Sequence, residues 1–166
     1  AYFKENNVRQ IVNEINKSSG RACVVVGQGL GRNTQTVKFV HGLLEELSNT
    51  DIPVILDADG LNAYSYKKYL DHKLPEKLII TPHVGELSRL TGVESKSINE
   101  NRSEMALKST FDIKAITVLK GNKTLVCPCE ARTNEDIYVN NTGNAGMATG
   151  GSGDVLSGII TGLLGQ

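Results

Sequence analysis

Pro53-Val54-Ile55-Leu56-Asp57-Ala58-Asp59-Gly60-Leu61-Asn62 holds the pattern on which the whole chain is built. A short apolar run suits a buried strand, and this one stops abruptly at two carboxylates and a glycine. The same pattern returns in both directions. Ala22-Cys23-Val24-Val25-Val26 runs into Gly27-Gln28-Gly29-Leu30-Gly31-Arg32-Asn33. Lys77-Leu78-Ile79-Ile80 runs into Thr81-Pro82-His83-Val84-Gly85-Glu86, and Ala115-Ile116-Thr117-Val118-Leu119 into Lys120-Gly121-Asn122-Lys123-Thr124. Helical periods lie between the runs. Val8, Ile11, Val12 and Ile15 repeat at i, i+3, i+4, i+7, with Gly20 as the stop, and Val37, Val40, Leu43, Leu44 and Leu47 form a second apolar stripe. A short helix over 85–91 ends at Gly92. Ser97-Ile98-Asn99-Glu100 has the S-x-x-E spacing of a capping box and predicts a helix opening there and ending near Phe111. Segments 123–127 and 136–140 read as a hairpin, and the last helix begins near Gly153. Strands alternating with helices predict an α/β domain with a largely parallel sheet, covered on both faces, and right-handed crossovers.

Composition narrows the function. With 18 Lys+Arg against 18 Asp+Glu the 166-residue chain has no formal net charge, which argues against a nucleic-acid binder and a polybasic membrane anchor. No apolar run reaches the roughly 20 residues that span a bilayer. Cys23, Cys127 and Cys129 follow neither a disulfide nor a zinc spacing, and a reducing cytoplasm is the expected compartment.

Each cluster of Gly, Asp, His and Lys follows a predicted strand, so all four fall at the carboxyl edge of the sheet, where open α/β folds bind ligands. Each also has a plainer reading. The glycines of Gly27-Gln28-Gly29-Leu30-Gly31 serve a tight turn or a close backbone approach to a ligand. Asp57 and Asp59 suit Mg²⁺, a phosphate held through it, or a hydroxyl; alternatively Asp59 caps the next helix while Asp57 is buried on a loop amide, and for Asp59 the cap is preferred. His83 either starts a helix or hydrogen-bonds a substrate, and Glu86 suits a helix N-terminus on dipole grounds alone.

The strongest signal is Asn141-Thr142-Gly143-Asn144-Ala145-Gly146-Met147-Ala148-Thr149-Gly150-Gly151-Ser152-Gly153-Asp154. Three glycines strip side chains from the backbone just before a helix, leaving amide groups and the helix dipole to face an anion. No GK[ST] follows, so this is not a Walker loop. Asp154, in the first turn, can take a proton from a hydroxyl that attacks a phosphoryl group. In the following helix, Val155, Leu156, Ile159, Ile160, Leu163 and Leu164 predict a buried apolar face, with Gly158 and Gly162 allowing close packing on the sheet.

VVVGQGLGRN, VILDADGLN, LIITPHVGELSRLTG, VLKGNKT and NTGNAGMATGGSGDVLSGIITGLL resemble, in order, the motifs of the ATP/ADP-dependent NAD(P)H-hydrate dehydratases, a family of the ribokinase-like superfamily. The resemblance implies a three-layer ribokinase-like fold with a mostly parallel sheet flanked by helices, incomplete at both ends, with 1–166 as a single partial domain. It implies ATP or ADP and Mg²⁺ as cofactors and hydrated NADH or NADPH as substrate. It also implies a homo-oligomer and, in the full-length protein, an epimerase domain of the kind fused in relatives. Carried over by motif, Asp154 would be the catalytic carboxylate, with Gly151, Ser152 and Gly153 around the transferred phosphate. Lys120, Gly121, Asn122, Lys123 and Thr124, with Gly153, would contact the nucleotide, and Gly29, His83 and Asp154 the hydrated dinucleotide. Gln28, Val84 and Ala145 stand where the family usually has proline. The competing readings are a ribokinase-like kinase of a small alcohol or vitamin precursor, and a non-catalytic nucleotide-binding module.

Overall fold

The computed structural model describes residues 6–17, 22–65 and 73–166. Among these, six short strands form one sheet in chain order: β1 (Val24–Val26), β2 (Val54–Leu56), β3 (Leu78–Ile80), β4 (Ile116–Leu119), β5 (Leu125–Cys127) and β6 (Tyr138–Val139). β1 to β4 are parallel, with Val24, Val54 and Leu78 in register across the first three. β5 and β6 return antiparallel, pairing Leu125 with Leu119 and Val139, so the expected hairpin is present. The helices are α1 (Asn7–Lys17), α2 (Thr34–Leu47), α3 (Ala58–Tyr64), α4 (Val84–Thr91), α5 (Ser95–Glu100), α6 (Arg102–Ile113) and α7 (Ser152–Leu164). Gly20, expected to end the first helix, lies outside the described residues.

The strand order decides where the core sits. Neighbouring parallel strands that follow one another in the chain, with crossovers of one hand, place every connecting helix on the same face. Strand alternation shows this directly. Val54, Leu56, Leu78 and Ile80 pack with Val37, Val40, Leu44 and Leu61 of α2 and α3. On the same face Leu119, Leu125 and Cys127 pack with Leu87, Ile98 and Ala106 of α4, α5 and α6. Ile55, Ile79 and Val118 point the other way, where Leu156 and Ile160 of α7 meet them.

Helices thus lie on both faces of the sheet, as expected, but unequally. Among the described residues α7 is the helix on the second face, beside a groove of about 480 Å³ lined by residues such as Ile79, Val118, Val126, Leu156 and Ile160. The expected burial of α7 is corrected: Val155, Ile159 and Leu163 are 63%, 57% and 66% exposed. A Cβ added at Gly158 or Gly162 would meet nothing within 4 Å, so these glycines do not serve close packing here.

The predicted capping box at Ser97 is also not formed. Ser97 lies inside α5, which starts after an extended Glu94 without a side-chain cap. Asn101, at φ −130° and ψ 43°, breaks the expected single helix into α5 and α6. A capping box does occur at the start of α4: His83 Nδ1 accepts from Glu86 N, and Glu86 Oε2 accepts from His83 N at 2.9 Å. The signal was missed because the capping residue is histidine rather than Ser or Thr. Gly92 ends α4 as expected.

Candidate active site at the carboxyl edge of the sheet

The loops after β1, β2, β3 and β4 meet at one edge, and their contacts are specific. Gly27 has φ 143°, and a Cβ there would stand 1.7 Å from the carbonyl oxygen of Asp57. Only glycine lets these two loops touch backbone to backbone. The close approach at Gly27 is thus to the neighbouring loop, while Gly29 sits in an exposed turn with nothing within 4 Å of its Cβ position. Asp59 holds the first loop from the side, accepting from Gly31 N at 2.9 Å and from Arg32 Nε at 3.1 Å. It also accepts from Asn62 Nδ2, and Asn62 Oδ1 in turn accepts from Arg89 Nε at 2.6 Å.

The cap of α3 is Asp57, not the preferred Asp59. Asp57 is extended (φ −135°, ψ 165°) and its Oδ1 accepts from Ala58 N at 2.9 Å. A cap must precede the helix with non-helical backbone, and Asp59 is already inside the first turn.

Asp57 is the centre of the edge. It is 1% exposed. Its Oδ1 accepts from Lys120 Nζ at 2.7 Å, and its Oδ2 accepts from Ser157 Oγ of α7 at 2.7 Å and from Gln28 Nε2 at 3.3 Å. Burial alone would push its pKa up, but the hydrogen bonds from Lys120 and Ser157 and the lysine charge outweigh that, and the carboxyl is held below its ordinary value. Lys120 Nζ also stands 3.7 Å from Glu86 Oε2. Pro82 O accepts from Lys120 N, and His83 and Lys120 form a parallel bridge, so the third and fourth loops run side by side beyond the strands.

The start of α7 sits over this cluster. A Cβ on Gly153 would lie 3.6 Å from Lys120 Nζ and 4.0 Å from Asp57 Oδ2. The residue before the helix, Gly151, has φ 86°, a left-handed conformation that a side chain would resist, and no side chain caps the helix. Ser152 N donates to Thr149 O at 3.3 Å, and no side chain meets the other first-turn amides at the positive end of this 13-residue helix, with an ammonium group nearby. Ser152 Oγ donates to Thr149 O. Asp154 is exposed in the first turn and makes no ion pair among the described residues.

The other expected residues fall around this centre. Lys120, Gly121, Asn122, Lys123 and Thr124 form the turn from β4 to β5, where Thr124 Oγ1 donates to Gly121 O. Arg102 of α6 donates from NH2 to Leu119 O and lies 3.1 Å from the place of a Gly121 Cβ. His83 uses Nδ1 to accept from Gly85 N at 3.0 Å. The proton of its neutral ring is then on Nε2, 3.3 Å from Glu86 Oε1, and that nitrogen is what remains to meet a ligand. Ser157 and Gln28 were missed as site residues. Ser157 has one trace in the sequence, a hydroxyl on an otherwise apolar helix stripe three residues after Asp154; Gln28 has none.

The arrangement fits a nucleotide phosphate: bare amides at a helix start, a lysine beneath them, and space where glycine side chains would be. No group of three or more His, Cys, Asp or Glu among the described residues could hold a metal ion. A Mg²⁺ that arrives on the phosphates needs no such cage, since it keeps its waters and takes one or two carboxylates. Glu86 and Asp57 are the buried carboxylates at this edge.

The fold is shared with ribokinase-like α/β proteins: a ribokinase-like superfamily protein of Enterococcus faecalis superposes with a TM-score of 0.75 at 27% identity, covering 98% of this chain and 52% of the other. The comparisons then give the family. The model described as NAD(P)H-hydrate dehydratase matches residues 2–166, and the chain belongs to that family. It is 44% identical over 144 residues to the ADP-dependent (S)-NAD(P)H-hydrate dehydratase of Neisseria meningitidis, covering 86% of this chain and 47% of that protein. It is 42% identical over 146 residues to the bifunctional NAD(P)H-hydrate repair enzyme of Moorella thermoacetica, covering 86% and 26%. A crystal structure of the ADP/ATP-dependent NAD(P)H-hydrate dehydratase of Bacillus subtilis, co-crystallized with ATP/Mg²⁺, superposes with a TM-score of 0.71 at 30% identity. That match covers 97% of this chain and 59% of the other. The chain thus spans half or less of these two curated relatives.

Proposed function

We propose that this chain carries the nucleotide-dependent dehydration of hydrated NADH or NADPH, acting as one partial ribokinase-like domain. One observation carries the reading: the uncapped start of α7, with Asp154 in its first turn, lies over the Asp57–Lys120 pair. The names of the relatives supply the substrate class.

The chemistry follows from the geometry. Hydroxide is a poor leaving group at neutral pH, so the hydrated ring does not lose water readily. Asp154 takes the proton of the ring hydroxyl as its oxygen attacks the terminal phosphoryl group of ATP or ADP; the bridging P–O bond breaks and ADP or AMP leaves. The amides of Gly151, Ser152 and Gly153, with Lys120, stabilise the charge that builds on that group. The carbon–oxygen bond then breaks, phosphate leaves with the oxygen of the added water, and a ring proton is lost as the nicotinamide double bond is restored. Mg²⁺ supplies counter-charge on the phosphates when bound. Lys120, Gly121, Asn122, Lys123 and Thr124 hold the nucleotide, and Gly29 and the Nε2 side of His83 contact the hydrated dinucleotide. Among the described residues no helix is long and apolar enough to cross a membrane. A cytoplasmic homo-oligomer, with an epimerase domain fused in the longer protein, completes the reading.

The test is direct. Whole protein supplied with hydrated NADH and ATP or ADP should restore the absorbance of NADH, and Asp154→Asn should not. Equal activity of the two, or no recovery at all, would sink the assignment. Stoichiometric build-up of a stable phosphorylated product would instead identify a kinase of a small alcohol. Tight nucleotide binding without any turnover would identify a non-catalytic module.

A further inference from the structure

We propose that Ser157 and Asp57 are positioning residues that set the start of α7 against Lys120, so that helix amides and ammonium group form one phosphate seat. The inference rests on the functional reading above and adds two residues to it.

α7 is weakly held. Ser157 is its one fully buried residue, at 1% exposed, while Val155, Ile159 and Leu163 face outward. Apolar contacts of Leu156 and Ile160 fix how close the helix lies to the sheet. They do little to fix its position along its own axis, because hydrophobic contact is not directional. A hydrogen bond is directional, and the one from Ser157 Oγ to Asp57 Oδ2 is 2.7 Å long and links residues 100 positions apart. Ser157 lies one turn below Asp154, so this bond sets the height of the acidic side chain and of the Gly153 amide. The other oxygen of Asp57 takes Lys120 Nζ at 2.7 Å, and the same ammonium is 3.6 Å from the place of a Gly153 Cβ. One carboxylate thus fixes both halves of the seat. Ala58 N and Gln28 Nε2 hold that carboxylate from the first two loops, so it stays oriented when the lysine turns toward an anion.

The decisive variant is Ser157→Ala, read by calorimetric titration of the whole protein with Mg-ADP and by thermal unfolding without nucleotide. Loss of a charge-assisted bond should weaken ADP binding about tenfold. Thr161→Val, one turn further along and bonded to Ser157 O rather than to the sheet edge, should leave ADP affinity within about twofold and change the melting temperature little. Where Asp57→Asn folds, the double variant should bind ADP no worse than the weaker single variant, because both changes cut one linkage. ADP affinity unchanged in Ser157→Ala, or lost equally in Thr161→Val, overturns the proposal. Wild type that binds ADP but dehydrates no hydrate overturns the assigned activity alone, and the variant affinities still decide the linkage. Wild type that binds no ADP overturns both.

Discussion

Four helices begin at the same edge of the sheet, and three of them are closed. Asn33 Oδ1 accepts from Gln35 N and Thr36 N at the start of α2. Asp57 caps α3, and His83 with Glu86 forms a full box on α4. α7 begins instead at a left-handed glycine with no side-chain cap, and it is the helix start with an ammonium group beneath it. Amides left without a side-chain cap at the positive end of a helix, beside an ammonium group, are suited to an anion. The three capped starts do the opposite work, fixing loops so that Asp57, Glu86 and Lys120 meet.

Breaking the open start should give the largest effects. Asp154→Asn keeps the size and removes the base; turnover of hydrated NADH should fall about 10²–10⁴-fold with ADP affinity little changed, as separate kinetic and titration measurements will show. Asp57→Asn removes the nearer of the two carboxylates facing the partly buried Lys120, leaving Glu86 at 3.7 Å, and should cost on the order of 2 kcal/mol in chemical denaturation at neutral pH. The same variant has a pH signature. The folded carboxyl has a lowered pKa, so as pH falls the unfolded chain takes up the proton first. The stabilisation is therefore present above the ordinary carboxylate value of about 3.9 and lost as pH drops below it, through the folded value. Wild type should lose stability more steeply than Asp57→Asn in that acidic window.

Gly153→Val puts methyl groups where the phosphate is expected, close to Lys120 Nζ. ADP affinity should fall roughly a hundredfold, equivalent to about 3 kcal/mol, with a smaller change in melting temperature. The smallest effect belongs to a closed start. His83→Ala removes a cap worth about 1 kcal/mol, and His83→Asn should restore the melting temperature because Asn accepts from the same amides. Any loss of activity that persists in His83→Asn measures what Nε2 does for the substrate.

Much of this was legible in the chain itself. The strands at 53–56, 77–80 and 115–119, the helix periods and the break at Gly92 rest on local patterns, and the structure places them within a residue or two. The segment before Asp154 was readable because three glycines around a helix start are hard to explain by local folding alone. The errors share a cause. Asp59 was preferred as the cap, Ser97 was read as a box and Gly158 with Gly162 as a packing notch. Each was a correct local possibility decided against by backbone geometry or by a neighbour distant in sequence.

By itself the sequence determined the alternation of strand and helix and the gathering of Gly, Asp, His and Lys after each strand. Those depend on side-chain period and turn chemistry, which act over a few residues. Tertiary structure alone decided that Asp57 joins Lys120 to Ser157, that the crossover helices share one face, and that α7 stays half exposed on the other. Those depend on strand order and on groups 63 and 100 positions apart meeting within a hydrogen bond's reach, and no local pattern encodes such a meeting.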